Sequence, residues 1–242
     1  MKNYCKELSQ MEIHSVDNIK FTYAQSKRKT ASLFVERDGS IHLIAPEHLG
    51  IEEIEEIIRE KKSWIFKSIA EWKDLNAVRI NREYINGEGF LYFGRTYRLR
   101  VTETTDTKLT LKDGQFAISK DQLKHATQLF RTFYREKGIE KITERVSYYK
   151  DKMGVLLNEI KVMELGNRWA SCTPDGNVNF HWKCTMAPLT VLDYIVVHEL
   201  THLIHTNHTQ EFWNVVDKVM PDYRSRMEWL RFNGAKLDIG NI

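Results

Sequence analysis

The sequence predicts an α+β protein, with a β-rich N-terminal part carrying one long helix, followed by a small C-terminal domain. Segments rich in β-branched and aromatic residues recur over residues 19–46 and again over 84–119. Between them, residues 51–75 repeat isoleucine at helical spacing, and from residue 121 onward the 3.6-residue period dominates. The domain reading is therefore 1–120 and 121–242.

The first strands are IKFTYAQ, ASLFVE and IHLIAP, with Asp38-Gly39 as a hairpin turn between the last two. Gly50 opens a single amphipathic helix over 51–75, in which Ile51, Ile54, Ile57, Ile58, Ile65 and Ile69 mark one face and acidic residues crowd the first turns. Strand-like GFLYFGRTYRLRVTE, KLTLKD and QFAIS follow, with turn signals at Gly87, Gly94 and Asp113-Gly114. A long helix then runs from Asp121 to about Met153, with Gly138 as a point of interruption. Two short strands, IKVMELGNRWASC and NVNFHWKC, flank the turn Thr173-Pro174-Asp175-Gly176. The last strong pattern is a helix from Pro188 to Thr206, with Thr190 and Asp193 as a capping box. No internal repeat and no low-complexity stretch stands out.

Composition excludes more than it assigns. The 242 residues carry 36 Lys and Arg against 33 Asp and Glu, a formal charge of +3 that gives no argument for nucleic acid. The basic residues of the 51–75 helix are interleaved with Glu52, Glu53, Glu55, Glu56 and Glu60, as on a solvated face. Three cysteines, Cys5, Cys172 and Cys184, lack CxxC spacing and fit a reducing, cytoplasmic setting rather than a disulfide framework. No apolar run is long enough to cross a bilayer and the N-terminus has no apolar targeting core, so neither membrane nor secretion is expected.

The chemistry is concentrated in the last helix, at His198-Glu199-Leu200-Thr201-His202. Residues four apart on a helix lie about 40° apart around the axis, so both imidazoles reach one ion from one face. Glu199 projects from the neighbouring row, where it can take a proton from water held at the metal. A catalytic zinc usually takes three protein ligands. His205 shares the face of His198 but lies roughly 10 Å along the axis, too far for one ion. Asn207 tolerates the left-handed conformation that ends helices, and a turn there swings His208 back as the third ligand. Thr209 then caps a second helix whose Phe212, Trp213, Val216 and Val219 pack against the first.

RWASC (168–172), NVNFHW, VVHELTHLIHTNHTQEFW and MPDY resemble the YgjP-like metal-dependent hydrolases, often grouped with SprT-like zinc metallopeptidases. A weaker likeness extends over YINGEGFLYFGRTYRLRV and the early strands, so it covers most of the chain. The resemblance implies a zincin-like catalytic domain with Zn2+ on His198, His202 and His208 and the catalytic acid on Glu199. Two positions depart from the pattern: Ala170 stands where glycine is common, and His205 where the related metzincin motif has its helix-ending glycine.

Other positions carry two readings. Arg168 and Trp169 either line the cleft or serve as a surface ion pair and a core residue. Asn179, Phe180 and His181 stand on a strand that either pairs with an extended peptide at a sheet edge or is an ordinary sheet strand, His181 being a surface residue or a substrate contact. Tyr223 either donates to a reaction intermediate or packs, and Glu228 is the competing third ligand. Cys172 and Cys184 read as small buried residues. The preferred activity is peptide hydrolysis, with a peptide or protein as partner. Its rivals are phosphoanhydride hydrolysis, although no GxxxxGK[ST] loop is present, and a zinc-stapled binding module without catalysis.

Overall fold

The computed structural model describes residues 12–27, 29–36, 38–76, 81–103, 108–166, 168–173 and 175–240. Cys5 and the turn residue Pro174 lie outside them. Mixed α and β elements divide into two compact units, Met1–Val78 and Arg79–Ile242.

In the first unit, β1 (Glu12–Val16), β2 (Ile19–Ser26), β3 (Ser32–Val35) and β4 (Ile41–Pro46) form a sheet in the order β1-β2-β4-β3. β2 and β4 run parallel, and β1 and β3 flank them antiparallel. The alternating inward positions Ile19, Phe21, Ile41, Leu43 and Ala45 pack under Ile54, Ile58 and Ile65. These isoleucines belong to two helices, α1 (Ile51–Glu60) and α2 (Lys62–Asn76), rather than to the single expected one. The break falls at Lys61, whose ψ of 3° leaves the helical region. One non-helical residue keeps the apolar positions nearly in phase, so the periodicity runs through the break without signalling it.

The second unit begins with β5 (Gly89–Tyr92), β6 (Arg95–Thr102), β7 (Thr110–Lys112) and β8 (Gln115–Ser119), in the order β5-β6-β8-β7. Again the inner pair is parallel and the flanking strands are antiparallel. The two sheets thus share one strand order, a topological repeat that the side chains do not reveal. The apolar face of this second sheet is buried by α3 (Ala126–Met153): Phe90 stacks on Phe130 with ring centroids 4.2 Å apart, and Phe116 meets Phe130 and Phe133. That shared core is why the division falls at Val78/Arg79 and not at Lys120 as the change of period suggested. A helix-rich half and a strand-rich half are two layers of one core.

After α3 come β9 (Ile160–Met163), β10 (Ala170–Cys172) and β11 (Val178–His181), forming a three-stranded sheet in the order β10-β11-β9. β11 is the central strand, antiparallel to β10 and parallel to β9. A 3-10 turn (Trp182–Met186) leads into α4 (Leu189–Thr201), followed by α5 (Gln210–Val219) and α6 (Tyr223–Asn233). Two glycines set how α4 is seated. Gly94, at φ 76°, makes the β5–β6 turn, and a Cβ there would come within 2.8 Å of Pro188 Cα at the start of α4. Gly138 does not interrupt α3. It lets the helix approach the turn before α4 so closely that a Cβ would overlap Thr185 Cγ2.

Gly138→Ala is therefore expected to destabilise the protein by about 1–3 kcal/mol, read from the denaturation midpoint. Adding Thr185→Ser removes the clashing methyl and keeps a hydroxyl for the 2.8 Å bond to the Trp182 carbonyl. The double variant should recover part of the loss, and an unchanged midpoint in the single variant would contradict the close approach.

Candidate metal centre

α4 is apolar almost throughout, and Val191–Val197 are all buried. Its rotation is set by Asp193, whose carboxylate receives Arg145 of α3 through Nε at 2.6 Å and Nη2 at 2.9 Å. This bidentate pair replaces the expected capping box with Thr190: the residue before the helix is Pro188, and no side chain caps it. Held this way, α4 presents His198 and His202 at its last turn.

The helix ends at Thr201, not at Thr206 as the sequence suggests. The N–H groups of His202, Leu203 and Ile204 bond three residues back, to Glu199, Leu200 and Thr201, tightening the chain into a turn. Asn207 is not among the residues with positive φ. The reversal comes from this tightened turn and from the 2.8 Å bond of Thr209 N–H to the Asn207 carbonyl, and it brings His208 back over α4.

Each of His198, His202 and His208 offers a ring nitrogen, and these atoms lie within 4.8 Å of one another. His208 Nε2 is 2.9 Å from His198 Nε2. His202 directs Nδ1 at the His205 carbonyl, 3.3 Å away, which leaves Nε2 as its free lone pair when Nδ1 carries the proton. His205 thus takes part through its backbone, a contribution with no signature in side-chain spacing. His198 Nδ1 is buried without a hydrogen-bond partner. Nitrogen donors facing one another with no carboxylate between them fit a cation, and imidazole is a donor suited to zinc.

Burial sets the electrostatics. It lowers the pKa of His198 to about 3, helped by His202 and His208, and that of His202 to about 4, helped by His208. Burial also lowers His208. Neutral imidazole is the form that ligates a metal. Glu199, 7% exposed, is pushed up to about 8 by burial, against the opposing Arg168 charge and a hydrogen bond from the Cys172 backbone N–H. Arg168 and the Cys172 N–H of β10 therefore both favour the ionised carboxylate.

The remaining candidates separate. Trp169 is half-buried, and its carbonyl accepts from His181 N–H at 2.8 Å and Cys184 Sγ at 3.0 Å. Asn179 reaches only Ser171 Oγ, at 3.4 Å, on a strand paired on both sides. β11 is thus no edge strand, and β10 is the edge strand packed beside α4. His181 is 2% exposed: Nε2 meets Glu164 at 2.7 Å and Nδ1 accepts from Lys183 N–H, so it is neither at the surface nor in the site. Tyr223 is buried against Trp213, and its hydroxyl accepts from Arg224 Nε. Glu228 is exposed and outside the histidine group. Ala170 lies in β10 without positive φ, so alanine serves where glycine is common. The sequence reading overlooked Tyr194, whose buried ring packs edge-on to His198 at 5.9 Å one turn earlier on α4.

A model of the YgjP-like metallopeptidase domain matches residues 29–233. Among solved structures, the metallopeptidase zymogen of Pyrococcus abyssi abylysin aligns at 23% identity, with 42% of this chain and 99% of that chain covered and a TM-score of 0.36. Comparison with curated proteins gave no match. A TM-score this low leaves the fold to be read from this chain's own strands.

In the metal-free protein the histidines and Glu199 pull stability in opposite directions with pH. His198 and His202 are depressed below 6.5, so their contribution is complete above that pH and declines as pH falls toward 4 and 3. Glu199 is raised from 4.5 to about 8, so its contribution is complete below 4.5 and is lost as pH rises to 8. Glu199→Gln is therefore expected to stabilise the metal-free protein more at pH 8 than at pH 5, by at most about 1.4 kcal/mol per pH unit. Urea titrations of both proteins at the two pH values measure this, and an equal effect at both would contradict the buried, proton-holding carboxylate.

Proposed function

Because the chain belongs to the YgjP-like metallopeptidase family and is therefore a hydrolase, we propose that it cleaves peptide bonds using a zinc ion held by His198, His202 and His208, with Glu199 as general base. The observation that carries this reading is the convergence of three neutral imidazoles from a helix and its returning loop beside a buried carboxylate on the same helix. No helix among the described residues is long and apolar enough to cross a membrane. A reducing, cytoplasmic setting fits the two buried free thiols, Cys172 and Cys184.

Bound to the three imidazoles, zinc supplies a Lewis acid that polarises a carbonyl and lowers the pKa of water to about 7. Glu199 takes the proton of the attacking water and returns it to the leaving amine. A base that must next act as an acid works best when both of its forms are accessible near the operating pH. Burial favours protonated Glu199, while Arg168 and the Cys172 N–H favour the ionised form. The apolar packing of α4 keeps bulk water from competing for the proton. The outer edge of β10 offers backbone groups to an extended peptide beside Glu199.

Glu199→Gln should retain about one zinc per chain and lose peptidase turnover by at least 10²-fold, the order of a general-base contribution. His208→Ala should lose the metal as well. Elemental analysis with casein and nucleoside triphosphate hydrolysis on the same samples tests both. Zinc retained by His208→Ala would overturn the ligand set, and triphosphate cleavage without casein cleavage would overturn the peptidase reading.

A further inference from the structure

Of the three histidines, His208 stands on the returning loop, farthest along the chain from α4, and its residue is exposed. His198 is held in buried α4, and His202 has the His205 carbonyl to orient its ring. The only hydrogen-bonding contact of the His208 ring among the described residues is His198 Nε2, itself a ligand nitrogen that turns to the metal once the site is filled. What faces the His208 ring is aromatic. Trp213 lies against it with centroids 5.7 Å apart and planes inclined by 28°. Tyr223 stacks on the same indole at 5.4 Å and 18°. Phe212 meets all three imidazoles edge-on or tilted, at 4.6–5.0 Å.

We propose that Trp213, itself stacked on Tyr223, is the positioning residue for the third metal ligand, holding the His208 ring by stacking where a ligating histidine is usually held by a hydrogen bond. A ligating histidine usually donates its second N–H to a carboxylate or carbonyl, which sets ring orientation. A planar indole that is itself stacked on Tyr223 restricts the same rotation by contact area. Trp213 stands five residues after His208, on the first turn of α5, so the element that ends the returning loop also sets the ring. Tyr223, at the start of α6, is then accounted for as the ring stacked on Trp213, not as a group donating to substrate.

This proposal rests on the three-histidine metal site, and its test separates the two. Zinc affinity is measured by chelator competition for wild type, Trp213→Phe and Trp213→Leu, alongside side-chain NMR of the metal-free proteins. Wild type should bind zinc, Trp213→Phe should stay within about threefold because a flat ring remains, and Trp213→Leu should weaken binding by about 10- to 100-fold, the range of a lost orienting partner. In the metal-free protein the His208 ring protons should carry the ring-current shift of residue 213, keep a reduced shift in Trp213→Phe and lose it in Trp213→Leu. They should show conformational broadening only in Trp213→Leu, a readout that a general loss of stability does not produce. Wild type and Trp213→Leu binding zinc equally would overturn the positioning role and leave the site intact. Absence of zinc from wild type would overturn both. If Trp213→Leu does not fold, Tyr223→Leu, which removes the ring stacked on Trp213, should weaken zinc binding by a smaller factor, and an unchanged affinity there would overturn the proposal.

Discussion

The structure depends on one constraint: three imidazoles must be kept neutral and brought together at the end of a helix that is itself buried. Neutrality comes from burial, because removing water penalises the charged form, and the pKa values of about 3 and 4 at His198 and His202 are its signature. Burial in turn requires that every side of α4 be covered. α3 covers one side and sets its rotation through Arg145 and Asp193, while α5 and α6 cover others through Phe212, Val216 and Leu230. The three-stranded sheet lies alongside and sends the Cys172 N–H toward Glu199. The chemistry and the core are one apolar cluster, with the reactive groups at its rim.

The same constraint explains the supporting elements that look remote from the site. The β5–β6 turn donates N–H groups to the Thr185 and Met186 carbonyls, and glycine at its corner is required by both φ and contact with Pro188. Gly138 of α3 makes room for Thr185. Both contacts act on the short segment that aims α4, so the second sheet serves as the abutment against which the site helix is seated. This is why it shares a core with α3 and falls in the unit Arg79–Ile242, although its strand-rich sequence reads like the part before it.

Legibility from sequence followed the range of the interactions. The grouping of His198, His202 and His208 was readable because it involves short spacings on one helix and its exit, and the α+β class was readable from the switch between period 2 and period 3.6. Interactions between distant segments were not readable. Nothing in the run VNFH says that β11 will be bracketed by β10 and β9, and nothing in His181 announces Glu164, 17 residues earlier. The chain reversal at His208 was expected for the wrong reason. Asn207 carries a statistical preference, whereas the actual turn is made by backbone N–H groups that any sequence possesses. The compact units divide elsewhere than the change of period because local period reports layers, and a core joins layers.

Burial without the ion has a consequence for folding. Glu199 is held where ionisation is unfavourable, and burial desolvates the rings of His198 and His202, so the metal-free site carries groups that water would satisfy in the unfolded chain. A cation held at the three nitrogens would give the imidazole lone pairs a partner and would draw Glu199 toward ionisation. Since an unfolded chain cannot assemble His208 with the helix pair, binding acts almost wholly on the folded state and its free energy adds to stability. The segment with most to gain is the turn from His202 to Thr209, which is largely exposed and is tied down at its far end by α5 alone. On the proposed ligand set, metal, aromatic stack and returning loop would form one cooperative unit, in which the ligand supplied by the least buried segment is the one that closes the site.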